Sequence, residues 1–405
     1  MNLSSLDAAA CRPFTRRNFF RMAAGASALA TIPILTEAKL AHAARNKYAP
    51  SSQGIHIDAN ENPLGPSAAA RQAMIDILPR GGRYLYDHEM DLDETFAKVE
   101  GLKTEYVHSY AGSSEPLHFS VMSFCDKDKP LVLADPSYEA PMRAAQIVGA
   151  PIIKVPLADP KGAAVHDVKA LLAASDHPGL IYICNPNNPT GTITPYADIE
   201  YAANHLPKGA ILLVDEAYIH LAGVPSAIDL VKQDKDVIVL RTFSKLYGMA
   251  GIRMGFAIGR PDLLKKFDDY GQNALPVTAI AAAKASLLET DLVPTRRKII
   301  ADVRTETLDW LKSEGWNATP SVSNCFMLDV KRPGKEVIAA LAAQEVYIGR
   351  IWPAWPTYVR VSVGSHDDMQ AFRTAFKKAM SSSTAGLVAP KLPGRLAEHP
   401  YTHLS

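Results

Sequence analysis

Four short apolar runs recur through the middle of the chain: PLVLADP (130–136), GLIYICNP (179–186), AILLVDEA (210–217) and DVIVLRTF (236–243). Each is rich in branched aliphatic residues and ends in a turn-rich or polar segment, the pattern of strands buried in a parallel sheet. Between them lie stretches of helical spacing, YEAPMRAAQIVG (138–149), DVKALLAAS (167–175) and YADIEYAANHL (196–206). This alternation predicts an α/β domain. Polar residues of interest follow the C-terminal ends of the strands, where open parallel sheets bind ligands. After about residue 290 the pattern changes to a long charged helix, TRRKIIADVRTETLDWLKSEG (295–315). The segments FMLDV, VYIGRI and YVRVSV that follow predict a smaller sheet-and-helix domain. From Ser381 onward no apolar periodicity remains, and an extended or disordered tail is expected over 381–405. No short internal repeat is evident.

The amino terminus reads differently. Residues 15–21 are TRRNFFR, followed by the weakly apolar run MAAGASALATIPIL and by Ala41-His42-Ala43, a small-x-small cleavage site. The run is too short and too weakly hydrophobic for a stable membrane span. A disordered basic tail or an alternative start is the plain reading. Paired arginine, apolar run and cleavage site in that order favour a twin-arginine signal peptide over residues 1–43. Export to the periplasm or extracellular side is then expected, with a cytoplasmic protein as the fallback.

Composition narrows the partners. At 405 residues, 47% of them hydrophobic, the chain can fill large cores in two or three structural units. With 43 basic and 42 acidic residues, bulk charge offers no reason to expect nucleic acid or an anionic membrane as partner. The four cysteines, Cys11, Cys125, Cys184 and Cys325, lack CxxC or Cys/His metal spacing. No metal and no disulfide framework are expected. Cys11 falls in the leader, and the other three read as buried packing residues.

The stretch RTFSKLYGMAGIRMGF (241–256) carries the most specific chemistry. It sets Lys245 in a loop of small residues, with hydroxyls at Thr242 and Ser244 before it and Arg253 after it. A lysine that condenses with an aldehyde cofactor needs this setting, because hydroxyls and a guanidinium hold the cofactor's phosphate while the amine stays free. Upstream, in order, stand CNPNNPTGT (184–192) and LLVDEAYIHL (212–221). Asp215 ends an apolar strand, where a carboxylate is costly unless paired. YAGSSEPLHFSVMSF (110–124) places Gly112, Ser113 and Ser114 at a helix start that favours an anion, although an ordinary serine N-cap would look the same.

Together these motifs resemble the fold type I pyridoxal-phosphate (PLP) aminotransferases, most closely the histidinol-phosphate aminotransferase group, over roughly residues 54–380. The resemblance implies an α/β PLP-dependent transferase fold. A large domain with a mostly parallel seven-stranded sheet flanked by helices would span 81–285, and a smaller α/β domain 286–380. Residues 44–80 would form an amino-terminal arm and part of the small domain. The resemblance also implies site roles. Lys245 would hold PLP and act as general base, Asp215 would keep the pyridine nitrogen protonated, and Tyr218 and Asn188 would bond the ring oxygen. Tyr138, in DPSYEAP, would stack on the ring. Gly112, Ser113, Ser114, Thr242, Ser244 and Arg253 would hold the phosphate. Tyr84, in GRYLYD (82–87), would cross to the partner subunit's cofactor in a homodimer. Arg360 would bind the substrate carboxylate with help from Asn324. Asn60 and Glu61, in IDANENPLGPS (57–67), would lie near the substrate, and Arg350 would take a substrate phosphate.

The expected activity is transfer of an amino group between an amino acid or amino phosphate and a 2-oxo acid, with a folded cofactor-loaded protein suited to the twin-arginine route. An aromatic or broad-range aminotransferase is the main alternative, because Trp352, Pro353, Trp355 and Pro356 could form a pocket for a ring-bearing amino acid. A decarboxylase or other lyase of the same fold would use the same lysine and aspartate. A PLP-sensing transcription regulator would need a helix-turn-helix domain where this chain has its leader. A nicotinamide dehydrogenase would need a GxGxxG that is absent.

Overall fold

The computed structural model describes residues 34–45, 53–271 and 273–381. Residues 1–33, and with them the arginine pair and Cys11, lie outside the described residues, as does the tail from 382 onward.

The central sheet has seven strands: β2 (Val107–Tyr110), β3 (Leu131–Asp135), β4 (Ile152–Pro156), β5 (Leu180–Cys184), β6 (Ile211–Asp215), β7 (Val237–Thr242) and β8 (Gly255–Gly259). Their spatial order is β2-β8-β7-β6-β5-β3-β4. The block from β7 to β4 is parallel, and β8 runs antiparallel to both β7 and β2. Every residue of β5, β6 and β7 is buried, and so is all of β3 but Asp135, which is why the four runs that predicted strands read as unbroken apolar segments. Register aligns their ends: Cys184 pairs with Asp215, and Asp215 with Leu240. Polar residues after these ends therefore share one edge of the sheet.

Helices cover the sheet and begin and end on local signals. Ser67 Oγ accepts from Ala70 N at 3.1 Å to start the helix Ala68–Ile77, and Asp167 accepts from Ala170 N at 3.0 Å to start Val168–Ala173. Gly149, at φ 70°, closes Ala140–Val148. The alanine-rich helix Val277–Leu288 packs against Ala68–Ile77 and Tyr86–Glu100, its small buried faces (Ala279, Ala282, Ala283) permitting close approach.

Beyond the charged helix Leu292–Ser313, strands β9 (Asn317–Ala318), β10 (Cys325–Asp329) and β12 (Tyr358–Ser362) form an antiparallel sheet in the order β12-β10-β9. Strand β11 (Val346–Ile348) does not join it. It pairs in parallel with β1 (Ile55–Ile57), tying the segment before Asn60 to the carboxy-terminal part. Arg350, in the VYIGRI run, lies past the end of β11 and outside the sheet that holds β12. Its backbone still abuts Arg360, through Gly349 N to Arg360 O at 2.8 Å and Arg360 N to Arg350 O at 3.4 Å. Cys125, Cys184 and Cys325 are buried free thiols.

Candidate functional site

Strand β7 delivers the chain into the loop that holds Lys245. The side chain is 7% exposed, its Nζ donating to Ala59 O at 3.4 Å and lying 5.5 Å from the Tyr218 ring centroid. Burial pushes the Lys245 pKa down, toward the neutral amine a nucleophile must be. Asp215 closes β6, and its carboxylate accepts from Tyr182 Oη at 2.9 Å and Ala217 N at 3.1 Å. Burial nevertheless raises it to about 6, against the pull of those two donors and of Lys245. Such a carboxylate gains by pairing with a cationic ring nitrogen. Tyr218 and Asn188 follow the ends of β6 and β5. Asn60 Nδ2 donates to Tyr218 Oη at 3.0 Å, leaving the phenolic proton to be given elsewhere, and burial keeps that phenol protonated. Asn188 Oδ1 accepts from Arg360 Nη1 at 2.9 Å, and its Nδ2 lies 3.4 Å from Glu37 Oε2.

A phosphate-sized cradle lies beside them. Gly112 has φ +88°, and a Cβ there would fall 2.2 Å from Arg253 Nη2. Only glycine lets the guanidinium settle against that turn. Arg253, at φ 71°, donates to Ala111 O at 3.0 Å, Ala250 O at 2.9 Å and Ser244 Oγ at 3.3 Å. Thr242 Oγ1 donates to Ser244 Oγ at 2.9 Å. Ser113 sits at the N-cap of the helix Ser114–Phe124 with no side-chain capping bond, so the ordinary-cap reading does not describe it. One guanidinium, several hydroxyls and a helix start on one cleft suit a phosphate. Ser113, Ser114, Thr242, Ser244 and Arg253 line the same cleft as Lys245, Asp215, Tyr218, Asn188 and Tyr138. Amine, acid, ring-oxygen donors and cradle together fit PLP.

Behind Asn188 and Glu37 of that cleft, Arg360 is fully buried on β12, not solvent-facing as strand arginines commonly are. Asn324 Nδ2 donates to Asn60 O at 3.0 Å and Glu61 O at 3.4 Å, bracing the 60–61 segment rather than touching Arg360. Asn60 is held in turn by Ser362, whose Oγ accepts from Asn60 N at 2.8 Å. Arg350 is gripped by Glu139 at 2.8 and 3.1 Å. Both arginines also reach Glu37: Arg350 Nη1 lies 2.9 Å and Arg360 Nη2 2.7 Å from the same oxygen, Oε1. Trp352, 2% exposed, lies beneath them, its ring centroid 4.8 Å from the Arg350 guanidinium and 5.6 Å from that of Arg360. Trp355 packs on Ala134, Leu157 and Ala164. The two tryptophans are thus engaged away from the cleft, contrary to the aromatic-pocket expectation. Tyr84 is not brought to this chain's own cleft: it is 70% exposed and stacks on Tyr86 with centroids 5.7 Å apart. Gly112, Asn60, Asn324, Arg350 and Arg360 stand behind the cleft's lining rather than in it.

Three residues of the site carry no sequence motif. Tyr182 lies mid-strand, Glu139 simply follows Tyr138, and Glu37 falls within the expected leader. A charged residue two positions past the leader's apolar run is the one available sign of the last.

The chain belongs to the aminotransferase class I and II family, whose model matches residues 52–376, and it is a PLP-dependent transaminase. It is similar to a histidinol-phosphate aminotransferase of Moorella thermoacetica, 30% identical over 338 residues covering 81% of this chain and 86% of that protein. An aromatic amino acid aminotransferase of Rhodococcus jostii is 32% identical over 328 residues, covering 78% and 88%. In fold, the chain matches the crystal structure of a Sinorhizobium meliloti histidinol-phosphate aminotransferase in complex with PLP. The TM-score is 0.75 at 24% identity, with 87% of this chain and 96% of that chain covered.

Proposed function

We propose that the enzyme acts on an amino phosphate of the histidinol-phosphate kind, exchanging its amino group with a 2-oxo acid. The observation that carries this reading is the convergence of Arg350 and Arg360 on one oxygen. A single anion position served by two guanidiniums suits a phosphate dianion in one half-reaction and a carboxylate in the other. The aromatic amino acid reading is supported by the Rhodococcus relative, but Trp352 and Trp355 are occupied elsewhere. Catalytic efficiencies on histidinol phosphate and phenylalanine, in wild type and Arg350→Ala, separate the two. Loss of Arg350 should cost histidinol phosphate at least about tenfold, since hydrogen bonds to charged groups contribute on the order of 1.5–3 kcal/mol, and cost phenylalanine clearly less, because a singly charged carboxylate keeps Arg360. Equal losses, or a wild type that ignores histidinol phosphate, would move the assignment to an aromatic or broad-range enzyme.

The side chains divide the work as follows. When bound, PLP supplies an aldehyde and an electron-withdrawing ring that accepts the electron pair of the broken Cα–H bond. Lys245 would hold the cofactor through its amine and serve as the proton carrier at Cα. Asp215 would keep the ring nitrogen protonated. Tyr218 and Asn188 would serve the ring oxygen, and Tyr138 the ring face. Gly112, Ser113, Ser114, Thr242, Ser244 and Arg253 would hold the phosphate. Asn60, with Asn324 behind it, shapes the substrate side, while Arg360 and Arg350 bind the anion.

Two further parts of the reading concern the whole enzyme. It works as a homodimer in which Tyr84 serves the partner's phosphate cradle, a role its outward position in this chain suits. It is exported by the twin-arginine leader and cleaved after Ala43, on the strength of the TRRNFFR, apolar run and AHA order. Replacing Arg16 and Arg17 by lysine should trap full-length protein in the cytoplasm. Met1 at the start of mature, active protein from native cells would refute export.

A further inference from the structure

The segment just before the predicted cleavage site lies in the cleft. Thr36, Glu37 and Ala38 contribute to its wall, and Glu37 opens the helix Glu37–Arg45. The Glu37 carboxylate accepts from Arg360 and Arg350 through Oε1, and Oε2 lies 3.4 Å from both Arg350 Nη2 and Asn188 Nδ2. Its side chain is 13% exposed. Burial acts to raise its pKa, but Arg350 and Arg360 outweigh that and hold the carboxyl well below the usual range. The same segment is anchored a second time. Leu35, itself buried, donates its backbone N–H to His118 Nε2 at 3.1 Å. His118 Nδ1 lies 2.8 Å from Ser114 O, so the imidazole gives its proton there and accepts from Leu35. The side chain of Ala41 is buried as well.

These contacts are those a substrate anion would make. We propose that Glu37 is an internal substitute for the substrate's anionic group, and that residues 35–41 are a strap that competes with substrate for the Arg350–Arg360 position. The inference rests on the transaminase site proposed above. Charge counting agrees with it. With Glu37 in place, Arg350 and Arg360 face Glu37 and Glu139, two cations against two carboxylates. With Glu37 withdrawn, one positive charge is left over, and a carboxylate or phosphate from solution restores the balance. Because the competitor is tethered, its effective concentration is of millimolar order, so substrate must outcompete it in the uncleaved chain. Removal of residues 1–43 would take Glu37 away with the leader, so processing and unmasking of the site would be one event.

The test compares the full chain with Glu37→Ala, Glu37→Gln and a chain beginning at Ala44, each loaded with PLP. The strap predicts that the amino donor's KM falls at least about tenfold in Glu37→Ala and in the shortened chain, with kcat changed less than about twofold and Glu37→Gln in between. A KM that rises on loss of Glu37 would make it a substrate-binding residue and overturn the proposal, as would an unchanged KM. A second readout needs neither turnover nor the variants to fold well. In the full chain, succinate or inorganic phosphate should accelerate tryptic cleavage after Lys39, because an anion seated on the arginines releases the segment. Cleavage indifferent to both anions would sink the strap even if every variant is active. If no form transaminates any donor while the anions still expose Lys39, the strap stands and the substrate reading is what fails.

Discussion

Asp215 is a residue at which stability and chemistry pull in opposite directions. Burial raises its pKa from the ordinary 3.8 to about 6. A carboxyl raised in this way contributes stability that is fully present below its unfolded pKa and is lost as pH rises through about 6. In cofactor-free protein at pH 7.5 the ionised Asp215 should therefore cost on the order of 3 kcal/mol. Asp215→Asn should melt higher than wild type at that pH, with the advantage shrinking as pH falls from 6 toward 4. With PLP added the order should reverse, because the wild-type carboxylate then pairs with the ring nitrogen and asparagine cannot. Thermal melts with and without PLP at the two pH values check both signs. A variant less stable at pH 7.5 without cofactor would show that Tyr182 and Ala217 N already compensate the buried charge.

Between the elements, an ion pair sets how the ends of β6 and β7 lie beside one another. Glu216, one residue past Asp215, accepts from Arg241 Nε on β7 at 2.8 Å, from Ala227 N at 2.7 Å and from Ser226 Oγ at 2.7 Å. Both partners are buried, with side chains 1% and 5% exposed. Removing one member leaves the other charge uncompensated in the interior, a loss of about 3–5 kcal/mol. Glu216→Ala should show that loss in chemical denaturation. It should also weaken cofactor binding, since Asp215 and the Lys245 loop both hang from these strand ends. A change below about 1 kcal/mol would mean that Arg241 re-pairs, with Glu100 the nearest candidate at 3.7 Å. The sheet itself was legible at this scale because β3, β5, β6 and β7 are buried on both faces. Strands β2, β4 and β8 were not individually legible. GFAIG is short and glycine-bounded, and Gly255 is needed where a Cβ would come within 2.8 Å of Ser113 N.

Assembly enters at the scale of the whole molecule. Tyr84, Tyr86 and Met90 are 70%, 61% and 71% exposed, with Ile75 and Leu78 also exposed on neighbouring turns. An apolar face of this kind is expected to be covered by a second copy. If Tyr84 serves the partner's cradle, Tyr84→Ala should weaken PLP binding about tenfold, the loss of a hydrogen bond to a charged group. Lys245→Ala should abolish turnover and the cofactor's shifted visible absorbance without unfolding the protein. Co-refolding the two variants should restore activity at limiting PLP, since one site of each mixed dimer would regain both Lys245 and Tyr84. Activity no greater than that of Tyr84→Ala alone would place Tyr84 outside the site.

Local chemistry by itself pointed to the cofactor and to a set of side chains that the fold brings to one cleft. Lysine between hydroxyls and arginine, aspartate at a strand end and asparagine before Pro-Thr-Gly are contiguous motifs whose function depends on neighbours a few residues away. The family then follows from their order along the chain. What only the tertiary structure decided lies across long separations. The convergence of Arg350 and Arg360 on Glu37 joins positions more than three hundred residues apart. The burial of Trp352 beneath those arginines turns a possible pocket wall into a support. The departure of β11 to pair with β1 depends on which edge is left open. Hydrophobic periodicity reports whether a segment is buried, but not against what. Charge pairing between distant segments leaves no periodic trace, so the strap across the anion site could be found only once the chain was folded.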